Sequence, residues 1–196
     1  MAEVMEWVAL YADAFQCGVA DWWKIWGDPL LSGSIFVASY VLVAALILTV
    51  ALPVSGRERW LWRLCGLFFL LQAVNTPLDL HAFPGTFGRC LAHAQGWYEN
   101  RARVQVAFLS GLAICASLLL IQALIFFYRN MLNNLLLIAG VAITLGITLT
   151  KGINYHGTED ILGGGYGPFR WADLIEYSGV IIALLATLQR KLGMNR

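Results

Sequence analysis

The chain has 196 residues, of which 59% are hydrophobic and only 13% charged, with a mean hydropathy of +0.68. A soluble domain carries about a quarter charged residues, so a soluble fold is excluded, and a formal net charge of +1 removes the basic surface that nucleic acid requires. The composition is that of a polytopic membrane protein, and the length suffices for one compact helical bundle.

Residues 1–32 precede the first apolar run. Val4, Val8, Tyr11 and Phe15 form a stripe at helical spacing, with Glu3, Glu6, Asp13 and Gln16 off it. That pattern predicts an amphipathic helix lying in the outer membrane interface. The acidic start lacks a basic n-region, so the first spanning helix is expected to act as its own insertion signal. Trp22, Trp23 and Trp26 form an aromatic anchor, and Gly27-Asp28-Pro29 breaks the chain after it.

Five candidate spans follow, at roughly 33–54, 60–80, 104–128, 132–152 and 172–189. Each approaches the ~20 residues that cross a ~30 Å hydrocarbon layer. Arg57, Arg59 and Arg63 follow the first span, Arg129 follows the third, and Arg190, Lys191 and Arg196 follow the fifth. With five spans these fall on one side, and the positive-inside rule makes that side cytoplasmic. The N-terminus is then outside and the C-terminus inside. Arg89, Arg101, Arg103 and Arg170 break the rule on the outer side, where they are interleaved with carboxylates and histidines.

Between the second and third spans, Pro84-Gly85 makes a turn. From Gly88 a helix is expected to run into the third span, with Arg89, His93, Trp97, Asn100 and Val104 along one stripe. The run Gly163 to Pro168 in the last connection reads as a hairpin or cap. It is no phosphate loop, since it lacks a GK[ST] ending and a preceding strand. Of the four cysteines, Cys65 and Cys115 sit in apolar runs as packing residues. Cys17 and Cys90 fall on the same outer side, where an oxidising compartment permits a bridge.

Polar side chains recur inside the apolar runs. Gln72, Asn75, Thr76 and Asp79 share one helix face, as do Thr144, Thr148, Lys151 and Tyr155. An ionisable group in a spanning helix costs about 2.5–3.5 kcal/mol on insertion scales, so such groups face the bundle interior or a watery cavity. His81, His93 and His156 all map to the outer end, with Asp79, Glu99, Glu159, Asp160 and Asp173. Imidazole with carboxylate there suits a divalent metal, for which Asp79 and His156 are the candidate ligands, or acid–base work. No HExxH or HxH spacing is present, and interface histidines bonded to backbone or water are the plain alternative. Glu176, about one turn into the fifth span, is expected to face inward with Lys151 or Arg103 as partner, either as a structural ion pair or as a proton-handling group. Arg101 and Gln105 suit an anionic headgroup or phosphate, with an ordinary snorkelling anchor as the alternative. Gln72 and Gln122 suit interhelical hydrogen bonds. A bis-histidine haem wants histidines within facing helices, and a pore wants charge through the full thickness. Neither is found.

The run Gln72, Asn75, Leu78-Asp79-Leu80, then Gly88-Arg89, Gly96-Trp97-Tyr98, Arg101 and Gln105, resembles a set of small uncharacterised multi-span bacterial inner-membrane proteins. His156, Asp160 and Glu176 extend the resemblance, which covers roughly residues 60–190. It implies a bacterial inner-membrane location and this choice of residues, and it implies no reaction. The group's His–Asp element is tighter than His156-Gly157-Thr158-Glu159-Asp160, which leaves Glu159 and Asp160 both open as the matching acid.

The expectation is an all-α bundle of about five transmembrane helices (33–196) behind an N-terminal interfacial segment (1–32). An outward-facing polar pocket is built from Asp79, Arg89, His93, Arg101, His156, Asp160 and Glu176. In one function, a hydrolase or transferase acts on a lipid-linked or amphiphilic substrate. Asp79 and His156 bind a metal or activate water, Arg101 holds an anionic group, and Glu176 is the general acid or base. In the other, the chain is a non-enzymatic accessory subunit of a larger membrane complex, such as an electron-transfer or photosynthetic one. Its partners are membrane lipids and, in the second reading, other membrane-protein subunits.

Overall fold

The computed structural model describes residues 2–25, 30–153, 165–166 and 169–193. Every apolar run of the sequence is helical. The elements are α1 (Ala2–Ile25), α2 (Leu30–Ala51), α3 (Gly56–Leu78), a 3-10 turn (Leu80–Ala82), α4 (Phe83–Ala94), a second 3-10 turn (Tyr98–Asn100), α5 (Arg101–Asn133), α6 (Leu135–Ile153), strands β1 (Gly165–Tyr166) and β2 (Phe169–Arg170), and α7 (Trp171–Gly193). The two strands pair antiparallel as a minimal hairpin, where the glycine-rich run predicts one. Trp26 and the Gly27-Asp28-Pro29 break lie outside the described residues.

Among the described residues three helices are long and apolar enough to cross a membrane. They are Gly33–Ala51 within α2, all of α3 and all of α7, with mean hydropathies of 2.4, 1.2 and 1.5. Leu135–Lys151 in α6 is a shorter apolar stretch. Burial runs opposite to that of a soluble protein. Leu42, Leu64, Leu71, Leu149 and Ile181 are exposed, whereas Gln72, Thr144, Glu176 and Thr187 are buried. Apolar residues outside and polar ones inside are what a hydrocarbon solvent selects.

The core is set by helix period. On α2, Phe36, Tyr40, Val43, Ala44, Ile47 and Val50 recur every three or four residues and are buried. They pack on Leu61, Trp62, Cys65, Phe69 and Ala73 of α3, and on Val180 and Ala183 of α7. Cys65 is buried in this core, as a packing residue should be. The α6–α7 contact is closer. A Cβ placed on Gly140 would lie 2.6 Å from the Gly179 carbonyl oxygen, and one on Gly179 would lie 2.6 Å from Thr144 Oγ1. Gly140 with Thr144 and Gly179 with Ala183 are small residues four apart, the arrangement that lets two membrane helices touch backbone to backbone.

Helix α3 ends on Asp79, whose left-handed backbone (φ 47°) directs its N–H to Asn75 O at 2.7 Å. Helix α4 stops at Ala94, because Gly96 turns left-handed (φ 74°) and Trp97 N–H closes on Ala92 O at 3.1 Å. The expected continuous helix from Gly88 into the third span is therefore broken, and the stripe from Arg89 to Val104 is not one face.

Helix α1 packs on α4 through Ala14 and Gly18. A Cβ on Gly18 would lie 2.8 Å from the Phe87 Cα. Phe15 and Trp22 rings meet Phe83 at 5.7 Å each, and Cys17 is joined to Cys90 across a Cα separation of 6.0 Å. The Trp22 indole N–H donates to Asp79 O at 3.1 Å and so ties α1 to the end of α3. Val4, Val8, Tyr11 and Phe15 stay exposed. Helix α5 is the outlier, because its described side chains are exposed from Arg103 to Phe126 and Phe127 alone is buried. Gln122 lies on this exposed helix rather than in a helix–helix contact, so the expected interhelical bond is not its setting.

Gly179→Val should force α6 and α7 apart and cost about 1–3 kcal/mol, as other overpacked contacts do. Reversible unfolding in mixed micelles measures it, and unchanged stability would contradict the close approach. Alkylation of the unfolded chain should leave Cys17 and Cys90 unmodified until a reductant is added, read by peptide mass spectrometry.

Candidate functional site

The two polar stripes seen in the sequence converge at the ends of α3 and α6 and the start of α7. Gln72 Nε2 donates to Thr148 Oγ1 at 2.6 Å, joining one stripe to the other. Asn75 Nδ2 donates to Gln72 Oε1 at 3.3 Å, and Asn75 Oδ1 accepts the His81 backbone N–H at 3.2 Å. The His81 ring meets Asn75 Nδ2 at 3.4 Å and the Asp79 carboxylate at 4.0 Å. The 3-10 turn after α3 is what carries His81 back over Asn75. On α6, Thr144 and Thr148 hydroxyls donate to the carbonyls four residues earlier, and Lys151 is the next residue along that face.

Lys151 is the centre of a buried ionic cluster. Its Nζ lies 2.6 Å from Glu176 Oε2 and 3.2 Å from Asp173 Oδ1. The other Glu176 oxygen accepts the Tyr40 hydroxyl from α2. Phe36 completes the surround, with its ring centroid 5.8 Å from Lys151 Nζ and stacked at 4.1 Å on Tyr177. Glu176 and Tyr40 are 6% and 0% exposed, whereas the Lys151 and Asp173 side chains are 29% and 17% exposed. The cluster therefore has a sealed inner end and a more open end at the α7 N-terminus.

Local sequence explains why α7 begins here. Asp173 is the third residue of the helix, and its Oδ2 accepts the backbone N–H of Arg170 at 3.0 Å, which is half of a capping box. The helix dipole favours anionic groups in this first turn, where Asp173 sits. Two carboxylates share one ammonium, and the trio carries a formal charge of −1. Such a site can bind a cation or a proton at its open end.

The sequence-predicted residues divide. Of the two partners named for Glu176, the structure selects Lys151; Arg103 is exposed on α5. Asp79 lies in the His81–Asn75 network, one hydrogen-bonded chain away from the α6 stripe. Arg89 is 3.7 Å from Asp21 on α1, and His93 stacks on Tyr98 at 3.8 Å. The partners given to these two lie on α1 and in the second 3-10 turn, not on α6 or α7. His156, Asp160, Glu159 and Tyr155 lie outside the described residues, as do the side chains of Arg101, Gln105 and Cys115. The metal pairing of Asp79 with His156 falls there too, and the imidazole that the structure places beside Asp79 is His81. One other metal-like grouping occurs among the described residues, Cys17, Asp21 and Cys90. Its sulfurs are already bonded to each other and offer no thiolate. A hydrogen bond from Lys24 holds the Asp21 carboxyl below the usual carboxylate range.

Sequence reasoning missed Tyr40. It is an aromatic with a polar tip four positions after Phe36 on the same face of a largely apolar span, and that hydroxyl is the signal that marks it.

Lys151→Met should cost about 3–5 kcal/mol, because it strands Glu176 without a cation. Adding Glu176→Gln to Lys151→Met should recover part of that loss, since the more deeply buried of the two stranded carboxylates is then removed and only the more open Asp173 remains. A double-mutant cycle by unfolding in micelles measures the coupling, and additive losses would show that the two side chains do not interact.

Comparison with protein-family models, curated proteins and solved structures returned no match, so the chemistry of this chain is argued from its own residues.

Proposed function

We propose that the chain is a five-span protein of the bacterial inner membrane, N-terminus outside and C-terminus inside. Its function is acid–base chemistry on an amphiphilic or lipid-linked substrate at the outer headgroup level, by hydrolysis or group transfer. The observation that carries this is the Tyr40–Glu176–Lys151–Asp173 cluster within the membrane-type helices. A structural pair needs one anion for one cation. Here a second carboxylate stands at the more open end, so the cluster keeps a basic group facing the substrate side.

The topology draws support from three directions. Alternate helices run antiparallel, because Glu58 at the start of α3, Asn134 between α5 and α6, and Arg190 near the end of α7 meet at one end. The arginines after the first and third spans lie at that end. The Cys17–Cys90 disulfide belongs to the opposite end, where an oxidising compartment maintains it. In this reading α1 rests in the outer interface with Val4, Val8 and Phe15 toward lipid.

In the proposed mechanism Asp173 exchanges the proton with the substrate at the open end, and Lys151 passes it to and from Glu176. Tyr40 orients its inner oxygen, and Lys151 holds the outer one and neutralises it. Arg101, His156 and Asp160 are the proposed headgroup and water-activating residues, and a divalent metal between Asp79 and His156 belongs to the same reading.

A second reading, an accessory subunit of a larger membrane complex, is favoured by α5. A helix exposed on every described side until Phe127 offers more apolar surface than lipid contact on one face requires.

The two readings separate in one experiment. The purified protein is reconstituted in vesicles of bacterial lipid extract, and lipid mass spectrometry follows conversion. The native chain should convert one lipid class, and Glu176→Gln should do so at least ~100-fold more slowly. Identical lipid profiles for native, variant and empty vesicles, with a stable partner on native gels, would replace the enzyme with the subunit.

A further inference from the structure

The end of the bundle opposite the acid–base cluster carries a site of its own. A cleft of about 530 Å³ opens between the first turns of α3 and α6 and the last turns of α7. Its lining mixes Leu136 and Ala186 with Trp62, Asn133, Gln189 and Arg190. Trp62 is 1% exposed, yet its indole N–H has no hydrogen-bond partner. Arg190 Nε is likewise buried and unpartnered, although Arg190 Nη2 holds Glu58 at 3.0 Å. An unsatisfied buried donor costs about 1–3 kcal/mol, and both of these donors belong to residues that line the cleft.

The chemistry of that acceptor is constrained. An indole donates and never accepts, and a guanidinium N–H donates to anions with a fixed geometry. The nearby carboxylate is already engaged, since Glu58 Oε1 accepts from both Arg190 and Asn134, and it does not line the cleft. Arg57, Arg59, Arg63 and Lys191 surround this end in sequence. The lining is mixed, with donors beside Leu136 and Ala186, and so suits an anion attached to hydrocarbon. We propose that the cleft holds the phosphate of an inner-leaflet phospholipid. Trp62 Nε1 and Arg190 Nε donate to its oxygens, and the glycerol and first methylenes lie against Leu136 and Ala186. The volume is within the range of small-molecule sites. The leaflet rests on the five-span topology proposed above; the ligand chemistry does not.

The test is native mass spectrometry of the full chain in detergent with added phosphatidylglycerol. One lipid should be retained by the native protein. Trp62→Phe keeps the ring and deletes the donor, and Arg190→Lys keeps the Glu58 ion pair and deletes Nε. Each should lower retention about tenfold, the loss of one hydrogen bond to a charged group. The substitutions lie on different helices, so if one fails to fold the other decides. Diacylglycerol, which lacks phosphate, should not be retained. Retention by both variants equal to native, or equal retention of diacylglycerol, would overturn the proposal. Displacement of the lipid by equimolar inorganic phosphate would assign the cleft to a soluble anion and overturn the lipid as its source. The measurement reads only the inner cleft, so its failure leaves the outer acid–base reading standing.

Discussion

The ammonium of Lys151, held between Glu176 and Asp173, is the contact on which the bundle's arrangement turns. A lysine on the inner face of a membrane-type helix is costly unless a counter-charge meets it, and the buried Glu176 does so. That demand fixes where α6 stands against α7, and Tyr40 brings α2 to the same point. The close approach at Gly140 and Gly179 makes the geometry reachable, since a side chain at either position would hold the helices apart. Backbone contact through small residues and the ion pair thus hold α6 to α7 at two separate levels.

The described charged groups sit toward the two ends of the bundle, and its interior between them is apolar apart from threonines bonded to their own helix, such as Thr144. At one end are the Lys151 cluster and the Asn75–His81–Asp79 network, linked across α3 and α6 by Gln72 and Thr148. At the other are the Glu58–Arg190–Asn134 contacts and the Trp62 cleft. Between them lie Val43, Ile47 and Phe69, all buried.

The α1–α4 unit adds an anchor outside the bundle. Its disulfide and the Trp22 bond to Asp79 bind it to the end of α3, beside the polar network. Asp79 therefore closes α3 through its backbone N–H and receives the N-terminal helix on its carbonyl oxygen.

Much of this was legible in the sequence, because period and composition are local properties. Every apolar run became a helix, and the stripes Gln72–Asn75–Asp79 and Thr144–Thr148–Lys151 marked the faces that meet. Lys151 was one of two named partners of Glu176, and the cysteines that bridge were the two placed on the same side. What the chain alone left open were the contacts between segments distant in sequence. Nothing local distinguishes Lys151 from Arg103 as the partner, joins Tyr40 to Glu176 across 136 positions, or pairs Glu58 with Arg190. Arg89 and His93 carried the same chemical promise as Lys151, yet a left-handed turn at Gly96 and the packing of α4 on α1 gave them other neighbours. Helical periodicity is written in side-chain order, whereas the meeting of two helices depends on which small residues let their backbones touch, and only the folded chain decides that.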